Sequence, residues 1–352
     1  MEDARIVDFL SQRSSIYIEL KKLQKEVWEN PKADKYFHSM QNNADTATPQ
    51  SRAYFRKLMA NIATEMDEAT QFLTDIEVHR QSKARSQPPK VLDLCMAPGG
   101  FSGQVRQSLC PLTEINGITL PLSLGGHELL VKTGPRLKVE FLDITMLAAE
   151  MGYTITDIPP DHPDHNLFLF DRPFFNQTFD LILCDGQVLR THKRQEHRGE
   201  KLEPLRLCVS QLVFALQHIK AGGTFTILLH NADYLRTLKI IYSFSKFSSS
   251  VQLFKPTAGH KQRSSFYLVA KGVNPQSPFA LNVVSEWKKA WTSSTLHFST
   301  WKEEQTSNDE VDQILAEFGE KLIQMCEPMW KIQCEALCRL INSGFQIFEK
   351  KK

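Results

Sequence analysis

KVLDLCMAPGGFSGQ, residues 90–104, is the stretch around which the chain is organised. Val91, Leu92 and Leu94 make the apolar, β-prone run of a buried strand, and Pro98-Gly99-Gly100 ends it in a turn of little side-chain bulk. A helix beginning near Phe101 and Ser102 turns its unpaired N–H groups, and the positive end of its dipole, towards whatever lies over the glycines. The outline is that of a cofactor cradle. Neither the dinucleotide fingerprint GxGxxG nor the phosphate loop GxxxxGK(S/T) is present, which argues against NAD and ATP.

Outward from this stretch, Lys90 to Gly272 alternates short β-rich runs with helical patterns, the rhythm of a parallel sheet. Strands are expected at Val91–Leu94, Ile115–Thr119, Lys138–Leu142, Asp180–Cys184, Gly223–Leu229, Val251–Phe254 and Phe266–Ala270. The segments GITLP (117–121), VEFLDIT (139–145) and FDLILCDGQ (179–187) each put a polar residue at a strand's carboxyl end, where open α/β sheets bind ligands. Met151 to Gln177 interrupts with a connection longer than a compact unit needs. Its Asp161, His162, Asp164 and His165 lack regular ligand spacing, so a solvated insertion is expected and no metal site.

The flanks are helical. Ile6, Phe9, Leu10, Ile16, Ile18, Leu20 and Leu23 recur at helical spacing, Asn42 to Ser51 breaks the pattern, and an amphipathic stretch runs from Arg52 to Ile76. Arg80 to Lys90 reads as a linker, and residues 275–352 return to helices through Trp287, Trp291, Ile314, Phe318 and Leu322. The expected division is a helical segment over 1–85, an α/β domain over 86–273 and a helical extension over 274–352. With 42 Lys+Arg against 40 Asp+Glu, no whole-chain field draws in a nucleic acid, and contact with RNA has to come from local patches. Seven cysteines without a CxxC pair suggest reduced, buried thiols. The chain starts without a signal-like segment and has no run of about 18 apolar residues, so an intracellular protein, nuclear or cytoplasmic and not membrane-bound, is expected.

DLCMAPGGFS, the DGQ after the fourth strand, the helix LRLCVSQLVFALQHIKAGGTF and the closing KPTAGHKQRSSFYLVAKG together resemble the FtsJ-type family of S-adenosylmethionine-dependent ribose 2′-O-methyltransferases. The resemblance covers about Arg52 to Gly272. It implies a Rossmann-like methyltransferase fold, α/β, with a seven-stranded, mostly parallel sheet, helices on both faces and helical N- and C-terminal additions. It implies S-adenosyl-L-methionine as cofactor and RNA as substrate, with no DNA and no membrane, and leaves any protein partner of the helical ends unassigned. Ala97, Pro98, Gly99, Gly100 and Phe101 match the loop that holds the methionine end of the cofactor, and Asp93 an acidic residue near its amino group. Thr119 and Leu120 fall at the ribose contact, where the acidic residue common in the family is absent. Asp143 matches the aspartate that accepts from the adenine amine, although a strand-end or capping Asp has the same appearance.

The family's catalytic set is a lysine, an aspartate, a second lysine and a glutamate, which a poorly nucleophilic ribose hydroxyl needs for proton removal and orientation. Lys57 in SRAYFRKLMA matches the first lysine, and a shift of one residue puts Arg56 there instead. Asp185 matches the aspartate. Leu228 and Ser265 stand where the second lysine and the glutamate are expected, and His230, two positions after Leu228, is a substitute base. Basic patches at Arg190 to Arg206, at Lys255, Lys261 and Arg263, and at Arg80, Lys83, Arg85 and Lys90 could track phosphates or simply be solvated charge. Two readings stand side by side: a methyltransferase, and a fold retained as a cofactor-binding or scaffold module.

Overall fold

The computed structural model describes residues 4–37, 49–82, 87–188, 202–302 and 306–345. Seven strands, β1 (Lys90–Leu94), β2 (Glu114–Thr119), β3 (Leu137–Phe141), β4 (Phe179–Cys184), β5 (Ile219–His230), β6 (Ser250–Phe254) and β7 (Ser265–Val273), form one sheet in the order β3-β2-β1-β4-β5-β7-β6. β1 to β5 are parallel, and β7 runs antiparallel between β5 and β6. The strands lie where the apolar runs place them. Six begin one residue before the expected start, and β5 begins four residues before it, at Ile219, where the extra residues ahead of Gly223 are taken up by a register shift against β4.

Side chains alternate between two apolar layers with the period of two that a strand imposes. Leu92, Ile182, Cys184, Ile227 and Leu268 point into one layer, and Val91, Leu181, Leu183, Leu228 and Val269 into the other. Helices α3 (Pro49–Thr70) and α5 (Gly100–Ser108) cover the second layer, through Ile62, Met66, Phe101 and Val105. The first layer is covered by α1 (Ala4–Arg13), α2 (Ser15–Trp28), α6 (Glu203–His218), α7 (Leu235–Phe247), α8 (Pro278–Thr295) and α9 (Asn308–Asn342). This is a Rossmann-like arrangement with helices on both faces.

The terminal helices share that core. Tyr17 of α2 packs on Trp330 of α9 with ring centroids 5.0 Å apart, and Ser14 donates to Glu327 at 2.9 Å. Tyr17 and Lys21 then converge on Asp233, in the turn that follows β5, at 2.9 and 3.1 Å. On the other side α8 sends the buried Trp291 under the segment after β3, where its indole N–H donates to the Thr145 carbonyl at 2.9 Å. Among the described residues no helix is long and apolar enough to cross a membrane.

Two local features depart from the sequence pattern. The amphipathic stretch from Arg52 to Ile76 is not one helix: α3 ends at Thr70, Gln71 takes φ 58°, and α4 runs from Thr74 to Ser82. Asp67 causes the break, since its carboxylate accepts from the backbone N–H groups of Leu73 and Thr74 at 2.7 and 3.0 Å and from the Thr74 hydroxyl at 2.7 Å. Such a side-chain acceptor competes with helix continuation. In the insertion, His162 is buried rather than solvated; its Nε2 donates to the Thr295 carbonyl at 2.9 Å, and its Nδ1 accepts from Asp164 N at 3.0 Å. Both ring nitrogens are engaged, and the described residues contain no cluster of metal-ligating side chains.

The insertion is fastened at its far end by a buried carboxylate. Glu150 is 1% exposed and accepts from Arg172 at 3.1 Å and from Gln217 at 3.0 Å, with His218 Nε2 facing it at 3.7 Å. Burial raises its pKa, but the facing His218 and Arg172 outweigh this and hold it below the usual carboxylate range. Its contribution is therefore complete above the unfolded carboxyl's pKa, about 4.3, and is lost as pH falls through the lower folded value. Glu150→Ala is expected to lower unfolding free energy at neutral pH by on the order of 2 kcal/mol in urea denaturation, with the difference from the parent shrinking in acid.

Candidate active site

β1 leaves the sheet through an irregular turn. Cys95 adopts φ 63°, the Ala97–Pro98 peptide is cis, and Gly99 at φ 94° is the residue before the first turn of α5. Two bonds tie this turn to the end of β2: Met96 N donates to the Ile118 carbonyl at 2.9 Å and Ala97 N to the Thr119 hydroxyl at 3.3 Å. A third anchors it from below, where the Ser102 hydroxyl of α5 donates to Asp93 Oδ2 at 2.6 Å. Asp93 is 2% exposed, and burial pushes its pKa up to about 7 against the opposing Ser102 bond. Gly100 is required by packing. A Cβ there would lie 2.4 Å from the Arg56 carbonyl oxygen and 2.5 Å from Met59 Cβ, both on α3.

An open cavity of about 260 Å³ lies over this turn at the carboxyl ends of β1, β2 and β4, bordered by the segment after β3. It is lined by Ala97 and Pro98, by Thr119 and Leu120, by Asp143 and Thr145, and by Asp185 and Gln187. Phe55 and Met59 of α3 line it as well, and an Arg52–Glu128 ion pair stands at its rim. The cavity is mostly apolar with carboxylates at defined points, the make-up of a small-molecule site. Asp143 also caps the turn that follows it: its Oδ1 accepts from Thr145 N at 2.9 Å and from the Thr145 hydroxyl at 2.8 Å.

Six of the residues singled out in the sequence, Ala97, Pro98, Thr119, Leu120, Asp143 and Asp185, therefore line one cavity. Gly99, Gly100 and Phe101 build the turn and the start of α5 behind it, and Asp93 lies beneath, bonded to Ser102. Lys57 and Arg56 are exposed on α3. His230, at the end of β5, donates from Nε2 to Gln187 Oε1 at 2.9 Å, and desolvation together with the charges of Lys255 and Arg263 lowers its pKa. It is thus linked to the cavity through Gln187 rather than lining it.

Beyond Asp185 lie Leu228 and Ser265, the positions where the family resemblance leads one to expect the second lysine and the glutamate. Leu228 is buried opposite Tyr267 in the β5–β7 register, and Ser265 is fully buried opposite His230. The Ser265 hydroxyl shares a 2.6 Å hydrogen bond with His260 Nδ1, and its carbonyl accepts from Lys255 at 2.9 Å. Burial takes His260 down to about 3 and Lys255 to about 7, so the imidazole is neutral at physiological pH. Tyr267, which the sequence does not mark, donates its hydroxyl to Asp185 Oδ1 at 2.6 Å. Strand alternation in SSFYLVA puts it on the same face as Ser265, the one signal that could have found it.

Two residues counted among the surface cations are not on the surface. Lys255 is 3% exposed, with its ammonium on the Arg263 and Ser265 carbonyls. Arg206 is 1% exposed, paired with Glu203 at 2.7 Å and donating to Thr295 at 3.1 Å. Residues 190–201 of the Arg190–Arg206 patch lie outside the described residues, as do Lys83 and Arg85. Arg80 pairs with Glu77.

A family model described as FtsJ-like methyltransferase matches residues 63–273, more than half of the chain. The chain belongs to this family. Ribosomal RNA large subunit methyltransferase E of Neisseria meningitidis serogroup C is 28% identical over 141 residues, a match covering 40% of this chain and 65% of that relative. The protein of the same name from Xanthomonas campestris pv. campestris is 27% identical over 194 residues, covering 53% and 74%. A crystal structure from Plasmodium falciparum, assigned as a ribosomal RNA methyltransferase, aligns with 61% of this chain and 96% of its own at 18% identity and a TM-score of 0.38.

The contact at Gly100 carries its own test. Gly100→Ala is expected to lower unfolding free energy by about 2 kcal/mol, because backbone and Cβ of α3 must retreat. Gly103→Ala, in the same helix with nothing within 4 Å of the added Cβ, is expected to be neutral or to stabilise by up to about 1 kcal/mol. Guanidinium denaturation of both variants makes the comparison.

Proposed function

We propose that the chain transfers a methyl group from S-adenosylmethionine to a ribose 2′-hydroxyl of RNA. The observation that carries this is the single cavity shared by Ala97 and Pro98, Asp143 and Asp185 at the carboxyl edge of the sheet, in a chain that belongs to the FtsJ-like methyltransferase family. The named relatives are ribosomal RNA methyltransferases, so ribosomal RNA is the proposed substrate.

The residues fit the cofactor. Residues Ala97 to Phe101 present backbone at the start of α5 for its methionine end, where the helix dipole favours a carboxylate. Thr119 and Leu120 lie at the end of β2 for its ribose, and Asp143 offers a carboxylate to its exocyclic amine beside the apolar Ile118, Leu142, Ile144 and Leu207. Asp93 acts one step back, bracing α5 through Ser102. When bound, S-adenosylmethionine supplies an electrophilic methyl group on a sulfonium sulfur. Asp185 then stands next to the reacting hydroxyl, His230 and Gln187 orient the nucleotide, and Lys57 and Arg56 on α3 meet RNA phosphates.

The buried, uncharged Leu228 and Ser265, at positions where the resemblance implies a lysine and a glutamate, favour the second reading, a cofactor-binding module without methyl transfer. Calorimetry and a transfer assay separate the two. S-adenosylmethionine is expected to bind, and Asp143→Ala to weaken it at least tenfold, a loss of about 1.4 kcal/mol. Absence of binding at millimolar cofactor would falsify the enzyme proposal. Methyl transfer to RNA is expected to fall at least a hundredfold in Asp185→Ala; binding without any transfer by the parent protein would leave the module.

A further inference from the structure

We infer that Asp185 accepts the substrate's proton directly, with no lysine in between, and that Tyr267 is the positioning residue that holds its carboxylate for that task. The inference rests on the proposed methyl transfer and adds a residue that the sequence pattern does not assign.

The geometry leaves little choice of base. At the place where the family resemblance expects a lysine, Leu228 presents an apolar, 92%-buried side chain, given its exposure of 8%. Directly across the β5–β7 ladder from it stands Tyr267, itself 1% exposed, with its ring 5.8 Å from Phe101 and 6.1 Å from His260. The tyrosine hydroxyl spans from β7 to Asp185, at the carboxyl end of β4, in a 2.6 Å bond. That bond occupies Oδ1 and fixes the plane of the carboxylate, while Asp185 remains part of the cavity wall. Lys57 is exposed on α3 and is not among the cavity-lining residues, and the remaining candidate bases are hydrogen-bonded elsewhere. Lys255 donates to two carbonyls, His260 is bonded to Ser265, and His230 is bonded to Gln187.

The groups facing Asp185 set its proton affinity. Desolvation raises it to about 7, the Tyr267 bond opposes that rise, and the buried Asp93 on β1 adds to it. Cys95 and Cys184 also lie close, with their thiols pushed far up by burial, so they carry no charge at neutral pH. Around the cavity stand Asp143, His127, the Arg52–Glu128 pair and Glu203, the last neutralised by Arg206. A carboxylate poised near the working pH is a better proton acceptor than one of ordinary pKa.

In the step itself, a lone pair of the acceptor oxygen forms the new O–CH3 bond. The electron pair of the breaking S–CH3 bond stays on sulfur, which becomes a neutral thioether, and the hydroxyl proton moves to Asp185. The Tyr267 proton stays on tyrosine, whose own pKa is raised by burial and by Asp185. Tyr267 thus acts only through Asp185.

The test is Tyr267→Phe, read by pH and not by activity at one pH. Without the hydroxyl, Asp185 holds its proton to higher pH. The midpoint of the pH–rate profile is expected to move up by about one unit, with activity down about fivefold at pH 7 and within about twofold of the parent at pH 9. A loss of packing would lower the rate at every pH and leave the midpoint in place. The cofactor-free protein supplies a second readout: infrared difference spectra should contain a carboxyl that titrates near pH 7, is absent in Asp185→Asn, and shifts alkaline in Tyr267→Phe. An unmoved pH midpoint, or an Asp185 band that titrates at about 4 in the parent, would overturn the inference. Failure of the parent to methylate RNA at any pH would instead strike the proposed function, and the infrared titration would still decide whether Tyr267 governs Asp185.

Discussion

The carboxyl edge of the sheet depends on one close approach, that of α3 to the first turn of α5 at Gly100. There the Arg56 carbonyl and Met59 Cβ come so near that no side chain fits between them. This contact places Phe55 and Met59 in the cavity wall, while Arg56 and Lys57 on the same helix are exposed. The Ser102–Asp93 bond works from the opposite side, fixing α5 to β1 through a buried carboxyl. These two constraints flank Ala97 and Pro98, which the Ala97 N–H bond to the Thr119 hydroxyl ties to β2.

The site's remaining walls come from more distant parts of the chain. Trp291, in the C-terminal helical region, carries the carbonyl of Thr145 and so supports the turn capped by Asp143. Arg206, pinned between Glu203 and Thr295, joins α6 to the same helix. The N-terminal helix α2 reaches the other end of the site by a different route, gripping Asp233 three residues beyond His230. The helical ends are therefore structural parts of the edge that presents the site. Their packing on the sheet supplies stability where the strand ends alone would be loosely held.

The seven strands were legible because each is a short apolar run whose side chains separate into two layers with a period of two, and because the residues at their ends change abruptly to polar. The grouping of Ala97, Pro98, Thr119, Asp143 and Asp185 around one cavity was legible for the same reason, since each ends or follows a strand. Features decided by partners distant in sequence were not. Lys255 and Arg206 look like solvated cations until the Ser265 carbonyl in one case, and Thr295 in the other, are seen beside them. The break at Gln71 depends on where a single Asp67 carboxylate points. Tyr267 lies within a recognisable strand, but its bond to Asp185 needs the crossing of β7 to the neighbourhood of β4, and no local pattern encodes that pairing.

What unites these observations is a sheet edge with an apolar, carboxylate-marked cavity at one end and a largely neutral, hydroxyl- and imidazole-rich strip at the other, meeting at Asp185. Such an edge suits a methyl acceptor whose proton leaves to a carboxylate. The most direct measurement is to incubate the protein with RNA and isotopically methyl-labelled S-adenosylmethionine, digest the RNA to nucleosides, and identify the labelled product by mass spectrometry. A 2′-O-methylnucleoside that disappears in the Asp185→Asn variant is the expected result. Label confined to a nucleobase, or a 2′-O-methyl product undiminished in that variant, would contradict the assignment of this edge as a ribose methyl-transfer site.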